Sequence, residues 1–186
     1  ALTRRAKYIV IHLDDGGVLL MHLGMSGRMT IVERGSNAPP ETHDHVVFTL
    51  DDGTSIRFND PRRFGMLDYV RSDALDRHKL LAGLGPEPLG PDFTGPALSA
   101  ALKGKRTPLK AALLDQQVVA GLGNIYVSEA LFHAGLSPRR LARTVTPERA
   151  QRLVEAIQGV LQRAIAAGGS SLPDYLHTDR KSTRLN

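Results

Sequence analysis

Residues 83–91 read Gly83-Leu84-Gly85-Pro86-Glu87-Pro88-Leu89-Gly90-Pro91, and this stretch decides how the chain is divided. Proline lacks an amide donor and glycine loses the most backbone freedom on ordering, so a run this dense in both continues neither a helix nor a central strand. A domain linker is therefore placed at 84–93. The sequence on either side has a different character.

Upstream, residues 1–83 read as antiparallel strands. Lys7–Leu13 (KYIVIHL) is β-branched and aromatic with partial alternation. Asp14-Asp15-Gly16-Gly17 is turn chemistry, and Val18–His22 returns as the hairpin partner. Met29–Val32, His45–Leu50, Ser55–Phe58 and Met66–Val70 follow, with Asp51-Asp52-Gly53 joining the second and third of these. Short strands and tight turns predict part of an all-β antiparallel sandwich. Ser72 is positioned to cap a helix through about Leu84.

Downstream, the reading is all-α. Thr94-Gly95-Pro96 opens a helix to about Leu102, and Leu109–Gln116 and Ile125–Ala134 are two more. Thr146 caps a long helix with Pro147 first and Glu148 near the positive end of the dipole. Leu153, Ile157, Val160, Leu161, Ala164 and Ile165 recur at three- and four-residue spacing, which makes one apolar face. Gly168-Gly169 end that helix.

Of 186 residues, 24 are Lys or Arg and 19 Asp or Glu, a net charge of +5. Residues 1–93 hold 11 bases and 13 acids, whereas 94–186 hold 13 and 6. Eighteen of the bases are arginine, whose planar fork suits phosphates and base edges. The basic half points to a polyanion partner; a solvated basic face is the plainer alternative. Cysteine is absent, which excludes disulfides and thiolate zinc sites within this chain. No apolar run approaches the roughly 20 residues of a membrane span, and no secretory signal opens the sequence. A cytoplasmic protein is expected. The start at Ala1 rather than Met predicts a missing N-terminal part.

Gly121-Leu122-Gly123-Asn124 lies between two helical patterns. Its glycines allow close backbone approach, and the next helix begins with outward N–H groups that bind a phosphate. A plain helix–turn–helix corner is the alternative. A dinucleotide fingerprint is excluded, because position 126 is Tyr and a helical pattern precedes the turn. Lys103, Lys105, Arg106 and Lys110 precede the turn, and Arg139, Arg140 and Arg143 follow it. If the fold gathers them, they form a track for a phosphate backbone.

Asp60-Pro61-Arg62-Arg63-Phe64-Gly65 combines a rigid backbone with Arg and Phe. An apolar wedge of this kind unstacks bases while a guanidinium bonds an exposed base edge. The alternative is a hairpin loop with Phe64 tucked into the core. His22-Leu23-Gly24-Met25-Ser26-Gly27-Arg28 is a second glycine-rich loop, in which Met25 is either a gap-filler or a second wedge. His43 and His45 are spaced like a metal pair, but no further ligands follow at suitable spacing, so no metal site is assigned.

These motifs occur in an order that resembles bacterial formamidopyrimidine-DNA glycosylase. RRAKY (4–8), HLGMSGR (22–28), HDHV (43–46), DPRRFG (60–65), LGPEPL (84–89) and LDQQVVAGLGNIYVSEALFHAGLSP (114–138) carry the resemblance, which covers about 4–179. It implies a β-sandwich domain and a helix–two-turn–helix domain, here 1–83 and 94–179. It implies base excision repair: removal of 8-oxoguanine and formamidopyrimidines, then AP lyase β- and δ-elimination through a Schiff base on an N-terminal proline. A secondary amine attacks C1′, and the iminium takes up electrons during elimination.

Residue by residue, the resemblance makes Lys7 the catalytic lysine near the abasic sugar. Met25, Arg62 and Phe64 match the three residues that fill the gap left by the flipped base, with Arg62 facing the orphaned cytosine. His22, His43, Arg62, Lys105 and Asn124 match DNA-contacting positions, and Glu129 matches a family glutamate read here as structural. Implied partners are double-stranded DNA with oxidised purines and no membrane. The implied protein is a monomer of the bacterial cytoplasm and nucleoid.

Two family features have no counterpart in the sequence: the opening proline segment with its partner glutamate, and a four-cysteine zinc finger. Zinc is therefore expected in the full-length protein and no cofactor in this chain, which reads as a fragment inactive by itself. Residues 180–186 show no resemblance and form a separate tail. Two alternatives remain: a non-catalytic damaged-DNA-binding fragment, or an endonuclease VIII-type pyrimidine glycosylase. The intact DPRRFG loop argues against the second.

Overall fold

A computed structural model describes residues 1–36 and 38–169. The expected tail 180–186 and the end of the helical domain beyond 169 lie outside the described residues. Two compact units are present: Ala1–Thr3 with Tyr8–Val70, and Arg4–Lys7 with Arg71–Gly169.

The first unit is built from antiparallel β sheets. Its strands are β1 (Leu2–Arg5, whose last two residues belong to the second unit), β2 (Tyr8–His12), β3 (Gly17–His22), β4 (Arg28–Val32), β5 (Asp44–Thr49), β6 (Ser55–Asn59) and β7 (Met66–Arg71, whose last residue belongs to the second unit). One sheet has the order β1-β2-β3-β7 and the other β4-β6-β5. The β2–β3 hairpin runs from Tyr8↔His22 to His12↔Val18. Its turn is closed by Leu13 N–H donating to Gly17 O at 2.9 Å. Gly17 N–H donates to Asp15 Oδ1 at 2.8 Å, the local bond that makes Asp a turn residue. The β5–β6 turn uses the same device, Thr54 N–H on Asp52 Oδ1 at 2.8 Å. Val10, Val18, Leu20, Met21 and Phe58 are buried. Strand β1 was not anticipated, because three of its four residues are exposed and no alternation marks it. Its partner is β2, through His12 N–H to Ala1 O at 2.7 Å.

The second unit contains α1 (Gly95–Leu102), α2 (Leu109–Leu114), α3 (Asn124–His133) and α4 (Pro147–Ala166). Thr94 Oγ1 accepts from Ala97 N–H at 3.3 Å, and Thr146 Oγ1 from Arg149 N–H at 3.4 Å, so both threonines cap as expected. α1 and α3 pack on α4, and α2 packs on α3. The shared core includes Leu98, Leu102, Leu113, Leu122, Val127, Leu131, Leu153 and Ile157.

Several expectations are corrected. The segment from Ser72 is a 3-10 helix of six residues, Ser72–Arg77, with Arg71 rather than Ser72 at the cap position. It buries no residue, so no apolar face sustains a longer helix. α2 stops at Leu114 instead of Gln116, because the Asp115 carboxylate accepts Gln117 N–H at 3.0 Å and starts a turn. The apolar face of α4 outlasts the core: Ile157 and Val160 are buried, but Ile165 is 67% exposed.

Residues 84–93 are not a free linker. Gly85 N–H donates to Gln116 O at 2.8 Å, and Ala120 N–H donates to Pro86 O at 3.0 Å. Gln158 Nε2 donates to Pro88 O at 3.2 Å, and Phe93 sits in the helical core. A chain of breakers leaves backbone groups unpaired in any regular element, and here the helical unit pairs them. The division falls at Val70/Arg71.

Candidate nucleic-acid interface

In the first unit the two glycine-rich loops meet. Asp60 stands where β6 ends, and it is 1% exposed. Ser26 Oγ donates to its Oδ1 at 2.6 Å, and Gly65 N–H donates to its Oδ2 at 2.7 Å. The same Ser26 oxygen accepts Arg62 N–H at 3.2 Å. Asp60 N–H donates to His43 O at 3.0 Å, and His45 Nε2 donates to Asp60 O at 2.9 Å. Burial by itself would raise the Asp60 carboxyl. The bonds from Ser26, Gly65 and Arg62, with the nearby His45, hold it below its ordinary value.

The loops also touch through glycine. A Cβ on Gly24, whose φ is +66°, would lie 2.5 Å from the Phe64 carbonyl carbon and the Gly65 nitrogen, so no larger residue fits. Arg63 takes a φ of +55°, a strained value for a non-glycine residue. These constraints turn Met25 and Phe64 outward, 62% and 56% exposed. Phe64 is therefore not a core residue, which removes the hairpin alternative. The Arg62 guanidinium lies over the Phe64 ring at 4.9 Å, a cation–π pair presented to solvent. His22 accepts Gly24 N–H on Nδ1 at 2.9 Å, and its ring lies tilted against that of Tyr8 with centroids 5.1 Å apart. His43 is exposed, and its ring lies 6.4 Å from that of His45. Among the described residues no group of three or more His, Asp or Glu is placed to hold a metal.

In the second unit the Arg4–Lys7 corner meets the Gly121–Asn124 turn. Glu87 accepts from Ala6 N–H at 2.6 Å, Arg5 at 2.7 Å and Arg4 at 2.8 Å. Burial opposes its ionisation, but these three donors hold the carboxyl below its ordinary value. The corner is tight, with Ala6 at a φ of +52°. Gly121, φ +81°, backs onto it: a Cβ there would stand 3.3 Å from Ala6 Cα. A Cβ on Gly123 would stand 3.5 Å from Lys7 Nζ, which places the ammonium at the start of α3. Partial burial pushes the Lys7 pKa below the ordinary lysine value.

Gly123 is the N-cap of α3 and supplies no capping side chain. Asn124 is exposed at the first helical position. Gln116 secures the turn: its Oε1 accepts Gly121 N–H at 2.9 Å and its Nε2 donates to Leu122 O at 3.0 Å. Gly121 thus makes the corner, and Gly123 leaves the start of α3 without a side-chain cap. Lys105, upstream of the turn, pairs with Asp115 at 3.3 Å. Glu129 is exposed on α3 rather than packed as a structural residue.

The structure thus gathers His22, His43, Met25, Arg62 and Phe64 around Asp60 in one unit, and Lys7 with Asn124 at the start of α3 in the other. Sequence reasoning missed Asp60, Ser26, Glu87 and Gln116 as organisers. All four lie inside the quoted motifs; Ser26, Asp60 and Glu87 bond partners distant in sequence, whereas Gln116 bonds Gly121 and Leu122 within its own motif.

The model for the formamidopyrimidine-DNA glycosylase N-terminal domain matches residues 1–67, and that for the H2TH domain of the same glycosylase matches residues 84–175. Formamidopyrimidine-DNA glycosylase of Gluconobacter oxydans is 54% identical over 176 residues, 95% of this chain and 64% of its own length. That of Acidiphilium cryptum is 59% identical over 173 residues, 93% of this chain and 61% of its own length. The crystal structure of MutM (Fpg) from Thermus thermophilus superposes with a TM-score of 0.86 at 42% identity, covering 97% of this chain and 65% of that one. Lactococcus lactis Fpg in complex with DNA containing an abasic site also gives 0.86, at 32% identity, over 95% of this chain and 64% of that one. The chain spans about 64% of the length of the Gluconobacter relative. With both domain models matched in order and antiparallel sheets followed by the helical domain, the chain belongs to the formamidopyrimidine-DNA glycosylase family.

Proposed function

We propose that the protein to which this chain belongs is a base excision repair enzyme. It removes oxidised purines, 8-oxoguanine and formamidopyrimidines, from double-stranded DNA and cleaves the abasic strand as an AP lyase. The observation that carries this is the outward cluster of Met25, Arg62 and Phe64. A glycosylase must extrude its target base, and the vacated stack needs an apolar filler and a polar partner for the orphaned base. Two exposed apolar side chains beside a guanidinium supply both. In the second unit Lys7 Nζ, of lowered pKa, and Asn124 at the start of α3 are suited to the phosphate and sugar of the damaged strand. The relatives' name and the Lactococcus complex with abasic-site DNA support the same assignment.

The protein acts as a monomer in the bacterial cytoplasm, on nucleoid DNA. The zinc of the full-length family is assigned no residue here, because this chain has no cysteine, and no step is derived through it.

The test is equilibrium binding of the chain to duplexes with an abasic-site analogue opposite each of the four bases. The tightest binding is expected opposite cytosine, and Arg62→Ala should flatten that preference, since a bidentate base contact is worth about 1–3 kcal/mol. Equal affinity of the unaltered chain for all four duplexes and for intact DNA would refute the proposal. Preference for oxidised pyrimidines would favour the endonuclease VIII-type reading. Lesion binding without excision by the full-length protein would favour the non-catalytic one.

A further inference from the structure

Between the two loops of the first unit lie a buried carboxylate and a half-buried hydroxyl that serve no step of the proposed reaction. We propose that Asp60 and Ser26 form a latch that makes Met25, Arg62 and Phe64 one rigid wedge, and so set discrimination at the base opposite the lesion without touching DNA. This rests on the wedge reading above.

Met25 is on the loop after β3, while Arg62 and Phe64 are on the loop after β6. Two flexible loops would pay side-chain and backbone ordering entropy separately on insertion. Here they are already joined. The Ser26 hydroxyl donates to Asp60 Oδ1 and accepts from Arg62 N–H, so one oxygen ties the Met25 loop to the arginine that reads the orphaned base. Asp60 Oδ2 takes Gly65 N–H, which fixes the residue after Phe64. The Asp60 main chain is held by His43 and His45. A buried, ionised carboxylate with this many donors is costly to disrupt, and that stiffness holds Arg63 at its φ of +55°. A pre-organised wedge discriminates by geometry: a base that does not match the fixed guanidinium cannot recover the bond by loop adjustment.

Ser26 and Asp60 are thus positioning residues. The test uses the 186-residue chain with Ser26→Ala, Ser26→Thr and Asp60→Asn. Ser26→Ala should lower the preference for cytosine opposite an abasic analogue by about tenfold, while affinity for intact duplex changes by less than about twofold. Ser26→Thr, which keeps the hydroxyl, should restore the preference. Amide exchange at Arg62 should quicken by about tenfold in Ser26→Ala. Quickened exchange with unchanged preference would overturn the inference, as would parallel loss of affinity for intact and abasic duplexes. If Ser26→Ala fails to fold, Asp60→Asn is held to the same criteria. An unchanged preference in Arg62→Ala, with quickened exchange in Ser26→Ala, would instead sink the wedge reading and with it the discriminating role.

Discussion

At the scale of single residues, the two organising carboxylates behave alike. Asp60 and Glu87 are each held below the ordinary carboxyl pKa by donated hydrogen bonds that outweigh burial. A group with a lowered folded pKa contributes stability that is present above its unfolded pKa and lost as pH falls through the folded value. Asp60→Asn is therefore expected to destabilise the first unit by about 1–3 kcal/mol near neutrality. The difference between the two proteins should shrink as pH falls below about 4, and thermal melts across that range check both statements. Glu87→Gln keeps one accepting oxygen but removes the negative charge and the second acceptor that together hold Arg4, Arg5 and Ala6 N–H, and so loosens the corner that carries Lys7. It should weaken abasic-site binding with little effect on the preference for cytosine, the reverse of the Ser26→Ala pattern. The wedge residues themselves could be named from DPRRFG and HLGMSGR. Ser26, Asp60 and Glu87 could not, because a polar residue in a loop acquires a role only from its partners, which lie 34 positions away in Ser26–Asp60 and 81 in Ala6–Glu87.

At the scale of elements, caps and turns were legible because their chemistry is local. Thr94, Thr146, Asp15 and Asp52 each bond a backbone amide within three residues. Thr146→Ala should cost about 1 kcal/mol in chemical denaturation, the usual value of a lost cap. Gly121→Ala should cost more than a cap, since an L side chain at its φ of +81° loses roughly 1–2 kcal/mol before any crowding against Ala6. It should also lower DNA affinity, because the same turn presents Gly123 and Asn124. The elements misjudged were those decided by non-local packing. Strand β1 exists because β2 pairs with it, and the helix expected from Ser72 stops after two turns of 3-10 geometry because nothing apolar lies beneath it.

At the scale of the whole molecule, the charge asymmetry makes its own prediction. The 94–186 half holds 13 bases against 6 acids, so affinity for intact duplex should fall linearly, log against log, with rising salt. Asn124→Ala should weaken all duplex sequences alike, and a mutant that altered only lesion preference would displace Asn124 from the phosphate contact. Filter binding at several salt concentrations reads both. By itself the sequence determined the fold class, most element positions, the basic half and the family, since periodicity, turn chemistry, charge and ordered motifs are all written along the chain. Only the tertiary structure decided that 84–93 is packed rather than free, that Phe64 faces solvent, and that Lys7 reaches the start of α3. It alone showed that one buried carboxylate unites two loops. These depend on which distant backbone groups and side chains meet, and hydrogen-bond satisfaction in a buried place is a property of the folded neighbourhood, not of the residue.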